Sequence, residues 1–167
     1  LASYFGSEMT TPKTRSNPKS NFKSFKFKIS KIEEKLNTGE KFIYDIKDLL
    51  KKFKIGLKLE KVCEYDGNKR KDGYLTKVLT ASINDENSKI NLLGRIGFIY
   101  DSKKDNIGRL AYQYMLLKRK ISKERNKKFK LAIEMRKRGI RFKQISERLN
   151  ISIGILEKWV YGANEYA

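Results

Sequence analysis

Histidine is absent from the 167-residue chain, which has one cysteine and two prolines. Without His, zinc fingers of Cys/His type, histidine-based nucleases and Ser-His-Asp hydrolysis each lose an essential group. The single Cys63 permits neither an internal disulfide nor a Cys cluster for a metal. It lies in an alternating run and reads as a small apolar strand residue. The glycines are scattered and form no phosphate-cradling loop. No apolar run approaches the roughly 20 residues that a membrane span needs, and no signal peptide opens the chain. The expectation is a cytoplasmic, nucleoid-associated protein with no membrane partner. Any enzymatic chemistry would have to rest on carboxylates, Lys or Arg, and a metal ion.

What is abundant is positive charge. There are 39 Lys and Arg against 19 Asp and Glu, a formal net charge of +20. Such an excess steers polyanions at range and binds them by counterion release. Hydrophobic residues make up 39%, enough to build a core and to argue against wholesale disorder.

The C-terminal stretch LAIEMRKRGIRFKQISERLNISIGILEKWVYG, from Leu131 to Gly162, gives that charge a shape. Its apolar residues Leu131, Ile133, Ile145, Leu149, Ile151, Ile155, Leu156 and Trp159 suit three short helices sharing a small core. Gly139 separates the first helix from the second. Asn150 can take the left-handed conformation that ends a helix, and Ser152 can cap the next. The pattern is a helix-turn-helix, whose second helix suits a DNA major groove.

The rest of the chain alternates helices and strands. Leu1–Ser7 reads as the end of a short helix, and Thr10–Asn21 as a loop or irregular strand pair. Phe25, Phe27 and Ile29 alternate with Lys26 and Lys28, the pattern of a half-buried strand. Asn37 or Thr38 caps a helix with Phe42, Ile43, Ile46, Leu49, Leu50 and Phe53 on one side. Strands follow at Leu57–Tyr65 and Tyr74–Ile83, joined by the turn-rich DGNKRKDG, and then a short helix near Ser88–Gly94. A longer helix from Asp101 carries Ile107, Leu110, Ala111, Tyr114, Leu117 and Ile121, and leads into the cationic KRKISKERNKKFK. The order is helix, two strands, helix, two strands, helix, an α+β class. The boundaries are residues 1–100 for this part, 101–127 for a basic helical linker and 128–167 for a small all-α helix-turn-helix domain.

These elements resemble the second half-domain of a LAGLIDADG homing endonuclease of the archaeal intein or intron type. LASYFGSEM is similar to the family's signature helix, and LLGRIGFIYDSKKDNIGRLAYQYMLLKRK to the segment that follows the half-domain. The resemblance implies an αββαββα unit with a saddle-shaped antiparallel sheet lying on double-stranded DNA. It implies Glu8 as the catalytic, metal-binding carboxylate, and Lys89 as a basic catalytic residue. The implied cofactor is Mg²⁺, activating water and stabilising the leaving oxygen of a phosphodiester. Ala2 and Gly6, like Ser3 and Ser7, are spaced to line stripes that let two helices approach closely. One carboxylate cannot build the site alone, so the resemblance also implies a homodimer or a missing first half-domain. The chain begins inside the motif and reads as a fragment. Met9 stands where the family has Gly, and YGANEYA lacks the His-Asn end of an intein.

Strand geometry nominates Lys26, Lys28, Thr76 and Lys77 for DNA contact, with Lys69, Arg70 and Lys71 at the hairpin tip. In the helix-turn-helix, Ser152, Ile153, Gly154, Glu157 and Lys158 are placed to read DNA, and Arg141, Lys143 and Gln144 to meet phosphates. The expected function is sequence-specific double-stranded DNA binding with Mg²⁺-dependent cleavage. The alternatives are an inactive DNA-binding remnant or transcription regulator, and an intron RNA-binding, splicing-assisting protein.

Overall fold

The computed structural model describes residues 1–14, 22–60, 71, 73, 74 and 76–162. Two compact units are present, Leu1–Leu116 and Leu117–Ala167. The class is α+β, with a small three-stranded antiparallel sheet and helices before, between and after its strands. Cys63, Lys69, Arg70, most of the 57–65 strand and most of the 66–73 turn lie outside the described residues.

In the first unit, α1 (Ala2–Glu8) precedes β1 (Phe25–Ile32), and a single 3-10 turn leads into α2 (Leu36–Lys51). After α2 come β2 (Lys58–Leu59), β3 (Thr76–Ile83) and α3 (Glu86–Arg95). The sheet order is β1-β3-β2, with β3 central and antiparallel to both neighbours. Phe25 pairs with Ile83, Phe27 with Ala81 and Ile29 with Leu79. Because side chains alternate along a strand, these six residues share one face. That face forms the core: Phe25, Phe27, Leu79, Ala81 and Ile83 are all buried, with Phe5, Ile43, Leu50 and Phe98 among those packed on it. Gly39 lets α2 come close. A Cβ there would sit 2.6 Å from the Leu79 side chain and 3.6 Å from that of Ile29. The helix 36–51 begins one residue before Asn37 and two before Thr38, with Lys35 in the cap position and no side-chain cap. Packing of Ile43, Ile46 and Leu50 sets its start rather than the capping residue.

In α3, Asp85 accepts a hydrogen bond from the Ser88 amide at 2.8 Å and supplies a true N-cap. The Ser88 hydroxyl in turn accepts from the Gly56 amide at 2.7 Å, which ties the end of α2's loop to α3. Asp101 caps the next helix through the Lys104 amide at 2.9 Å.

That helix, α4, runs unbroken from Ser102 to Lys137, 36 residues. The stretch 101–127, read as a linker, is therefore continuous with the first helix of the C-terminal trio. Between Gly108 and Gly139 there is neither Gly nor Pro to stop it. Its buried residues in the first unit are Gly108, Ala111 and Met115, one face by helical spacing. Of the apolar residues read along this helix, Ala111 is buried, while Leu110, Tyr114, Leu117 and Ile121 are exposed. Bulk misled the pattern here: the close-packed face uses the small Gly108 and Ala111, where Phe98 fits against Gly108.

The second unit folds the end of α4 with α5 (Phe142–Leu149) and α6 (Ile153–Tyr161). Ala132, Ile145, Leu156 and Trp159 form its buried core, with Phe129, Met135, Phe142 and Leu149 packed around them. Gly139 at φ +79° makes the first turn and Asn150, left-handed at φ 50°, makes the second. The second turn is closed by the Ser146 hydroxyl donating to the Ile151 carbonyl at 2.7 Å and the Ile151 amide donating to the Ser146 carbonyl at 3.2 Å. Ser152 occupies the N-cap position of α6 without a side-chain cap hydrogen bond. Ile155, counted with the core on sequence, is exposed, as is Leu131. Among the described residues no helix is long and apolar enough to cross a membrane.

Candidate functional site

Strand parity sorts the nominated sheet residues. Lys26 and Lys28 alternate with the core phenylalanines, so both stand on the face opposite the helices. Thr76 pairs with Ile32 and belongs to that same face by register, while Lys77, one residue on, belongs to the helix-bearing face. Lys58, which sequence reasoning did not select, joins Lys26 and Lys28 because it pairs with Ser82 opposite Lys26. Its signal was the alternation of Lys58 and Glu60 with Leu57 and Leu59. Lys28 and Lys58 are exposed. Lys26 is engaged by Glu60 at 2.8 Å, and this hydrogen bond holds the Glu60 carboxyl below the usual carboxylate range. Lys77 is paired with Glu33. Lys71 is exposed.

Glu8 and Lys89 are placed very differently. Glu8 ends α1 exposed to solvent. One turn back, the Tyr4 phenol is pushed up by burial and, to a smaller extent, by the Glu8 charge. Among the described residues no group of three or more His, Cys, Asp or Glu could hold a metal ion. A lone exposed carboxylate does not fit Mg²⁺, which takes several oxygen ligands in near-octahedral geometry. Lys89 is 4% exposed, inside α3. Its ammonium donates to the Phe22 carbonyl at 2.9 Å and lies 5.8 Å from the Phe25 ring centre. That is a buried cation satisfied by backbone and ring, tying the segment before β1 to α3.

In the second unit, Arg141, Lys143, Gln144, Ser152, Ile153, Gly154, Glu157 and Lys158 are all exposed. On α6, Gly154, Glu157, Lys158 and Tyr161 follow the i, i+3, i+4, i+7 spacing and share the outward face. A Cβ on Gly154 would meet nothing within 4 Å, so the surface there is clear. Upstream, eight of the 13 residues from Lys118 to Lys130 are Lys or Arg, with Glu124 the one acid. Residues 120–127 are exposed on every side of the helix. Like charges one turn apart, such as Arg119 with Lys123 and Lys123 with Lys127, repel by a few tenths of a kcal/mol each. A polyanion laid along this helix relieves that repulsion.

A cavity of about 470 Å³ lies within this unit, lined in part by Ile121, Arg125, Lys128, Ile151, Ile155 and Trp159. The Arg125 guanidinium sits 6.0 Å from the Trp159 ring centre. Sequence reading treated Arg125 and Lys128 only as members of a basic run. Their spacing from Ile121, four and seven residues, was the available sign of a shared face.

No family model matches the chain, and no solved structure matches it. The DNA-directed RNA polymerase subunit Rpo1N of Methanocaldococcus jannaschii is 49% identical over 126 residues, 75% of this chain and 9% of that protein. The tRNA-splicing ligase RtcB of the same organism is 34% identical over 142 residues, 80% of this chain and 13% of the ligase. The RtcB of Pyrococcus furiosus is 32% identical over 101 residues, 60% of this chain and 9% of that ligase. The chain thus spans about a tenth of the length of these curated relatives. These names correct the assignment to the LAGLIDADG endonucleases. A 126-residue match at 49% identity to a polymerase subunit outweighs the likeness of LASYFGSEM and of residues 92–120 to that family. Site-directed double-strand cleavage falls with that assignment. So do the remnant, regulator and intron-RNA alternatives, and the need for a matching half-domain.

Proposed function

We propose that the chain is a phosphate-binding segment of a transcription polypeptide of the RNA polymerase subunit kind, holding duplex DNA without reading its sequence. The observation that carries this is the second unit's surface: a helix ringed by cations from Lys118 to Lys130, running into α5 and α6 with their nominated residues exposed. Phosphate contacts of this kind supply sequence-independent affinity. Arg141, Lys143 and Gln144 meet the backbone at α5. Ser152, Ile153, Gly154, Glu157 and Lys158 form the close approach at α6. In the first unit Lys26, Lys28, Thr76 and Lys71 give a weaker, secondary contact, since Lys26 already has Glu60.

The relatives support a binding role over a chemical one. The same chain resembles small shares of proteins named as a polymerase subunit and as a ligase. What they have in common is therefore neither polymerisation nor ligation, while both names describe work on nucleic acid. The test is fluorescence anisotropy of the full chain with two unrelated duplexes about 30 base pairs long at low salt. Similar affinity for both duplexes is expected, together with a loss of about tenfold or more when Lys120, Lys123 and Lys127 are changed to Glu. A strong preference for one sequence, or no loss in the charge-reversed variant, would overturn the proposal.

A further inference from the structure

The cavity of the second unit shares Arg125, Lys128 and Ser152 with the surface just described but adds apolar residues that surface does not use. On α6, Ile155 lies about 100° round the helix from the face carrying Gly154, Glu157 and Lys158. Its apolar neighbours in the cavity lining are Ile121, Ile151 and the buried Trp159. Ile121 and Ile155 are 55% and 42% exposed, so this lining is open to an outside molecule. Leu117, also exposed, stands one turn before Ile121 on α4 and continues the apolar strip away from the cavity.

The charged groups around the strip have mostly one sign. Arg125 and Lys128 line the cavity, with Glu124 the single acid. Ser152 also lines it and makes no side-chain cap to α6. An apolar floor of Ile121, Ile151, Ile155 and Trp159 with Arg125 and Lys128 beside it is complementary to an acidic amphipathic helix. A duplex backbone would satisfy the cations but leave Ile121, Ile151 and Ile155 facing charged oxygens. We infer that this groove docks an acidic amphipathic helix of a protein partner, an inference that stands apart from the nucleic-acid reading in its apolar residues Ile121, Ile151 and Ile155.

The probe is a synthetic helix of about 18 residues with Leu along one face and Glu elsewhere, beside the same peptide with Lys for Glu. The full chain is titrated with each by calorimetry, and the emission of Trp159, the only tryptophan, is followed in parallel. The acidic peptide should bind and shift Trp159, and the Lys peptide should bind at least about tenfold more weakly. Ile155→Glu and Arg125→Glu, both at exposed positions and checked for helicity by circular dichroism, should each weaken the acidic peptide by about tenfold or more. Equal binding of the two peptides, or no binding, would overturn the inference. So would displacement of the acidic peptide by duplex DNA together with an equal loss of DNA affinity in Ile155→Glu, which would make the groove a nucleic-acid surface.

Discussion

Leu1–Leu116 holds 24 Lys and Arg with 14 Asp and Glu, and Leu117–Ala167 holds 15 with five. Each unit therefore carries a net charge of +10, but the second packs it into 51 residues against 116. In the first, cations are drawn into the structure: Lys26 to Glu60, Lys77 to Glu33, Arg109 to Asp105, and Lys89 into the core. In the second, Lys and Arg outnumber Asp and Glu three to one. The cores differ in the opposite sense. Among the described residues, 19 buried hydrophobic residues form the first core and four the second. A unit with so small a core and so much unbalanced charge is stable only marginally by itself. Its charge is costly to folding and suited to a polyanion.

The largest effect that would sharpen this contrast is in the small core. Leu156→Ala should cost about 2–5 kcal/mol and unfold the second unit while the first stays folded. Amide exchange would show protection lost from Phe142 to Tyr161 and kept in β1 and β3. Loss of protection throughout would mean that the units are not separable. Next in size is charge. Changing Lys120, Lys123 and Lys127 to Glu should weaken duplex binding by about tenfold or more, and changing Lys41, Lys47 and Lys51 on α2 by only about twofold. Equal losses would erase the distinction between the units.

Much of the second unit was legible because its turn residues have local causes. Asn150 and Gly139 announce left-handed backbone by their chemistry, and Leu156 and Trp159 fall where helical spacing puts a core. The continuity of α4 was less visible, because a run of Lys and Arg looks like a linker although nothing in it breaks a helix. In the first unit the Phe25 to Ile29 alternation gave β1 and its faces. The role of Lys89 could not be read, since only the long-range approach of Phe22 makes a lysine in α3 a core residue. The endonuclease assignment failed for a related reason. LASYFGSEM specifies a short helix that buries Phe5 in the core, and a metal site needs acids from elsewhere in space, which the described residues do not assemble.

Smaller effects test the turn and the faces. Asn150→Ala should cost about 1 kcal/mol in thermal stability because it forces a Cβ-bearing residue without local hydrogen-bonding ability into the left-handed region, whereas Asn150→Gly should be close to neutral. Gly154→Ala should raise the stability of α6 by up to about 1 kcal/mol and lower duplex affinity, since it adds bulk on the face proposed to approach DNA. Higher affinity in that variant would move the contact off α6. Smallest is the Lys26–Glu60 pair, worth at most about 1 kcal/mol at this exposure. Because the Glu60 carboxyl is depressed in the folded state, its contribution is present above the ordinary carboxylate range and fades as pH falls through the lowered value. The acid side of the stability profile should flatten slightly in Glu60→Gln.

The most direct test of the central claim is the salt dependence of duplex binding by the full chain. Contacts to about six to ten phosphates predict a log-log slope near −5 to −9 between about 50 and 200 mM salt, alike for unrelated sequences. A slope near zero would show that the cations from Lys118 to Lys130 do not lie on phosphates, and would contradict the account.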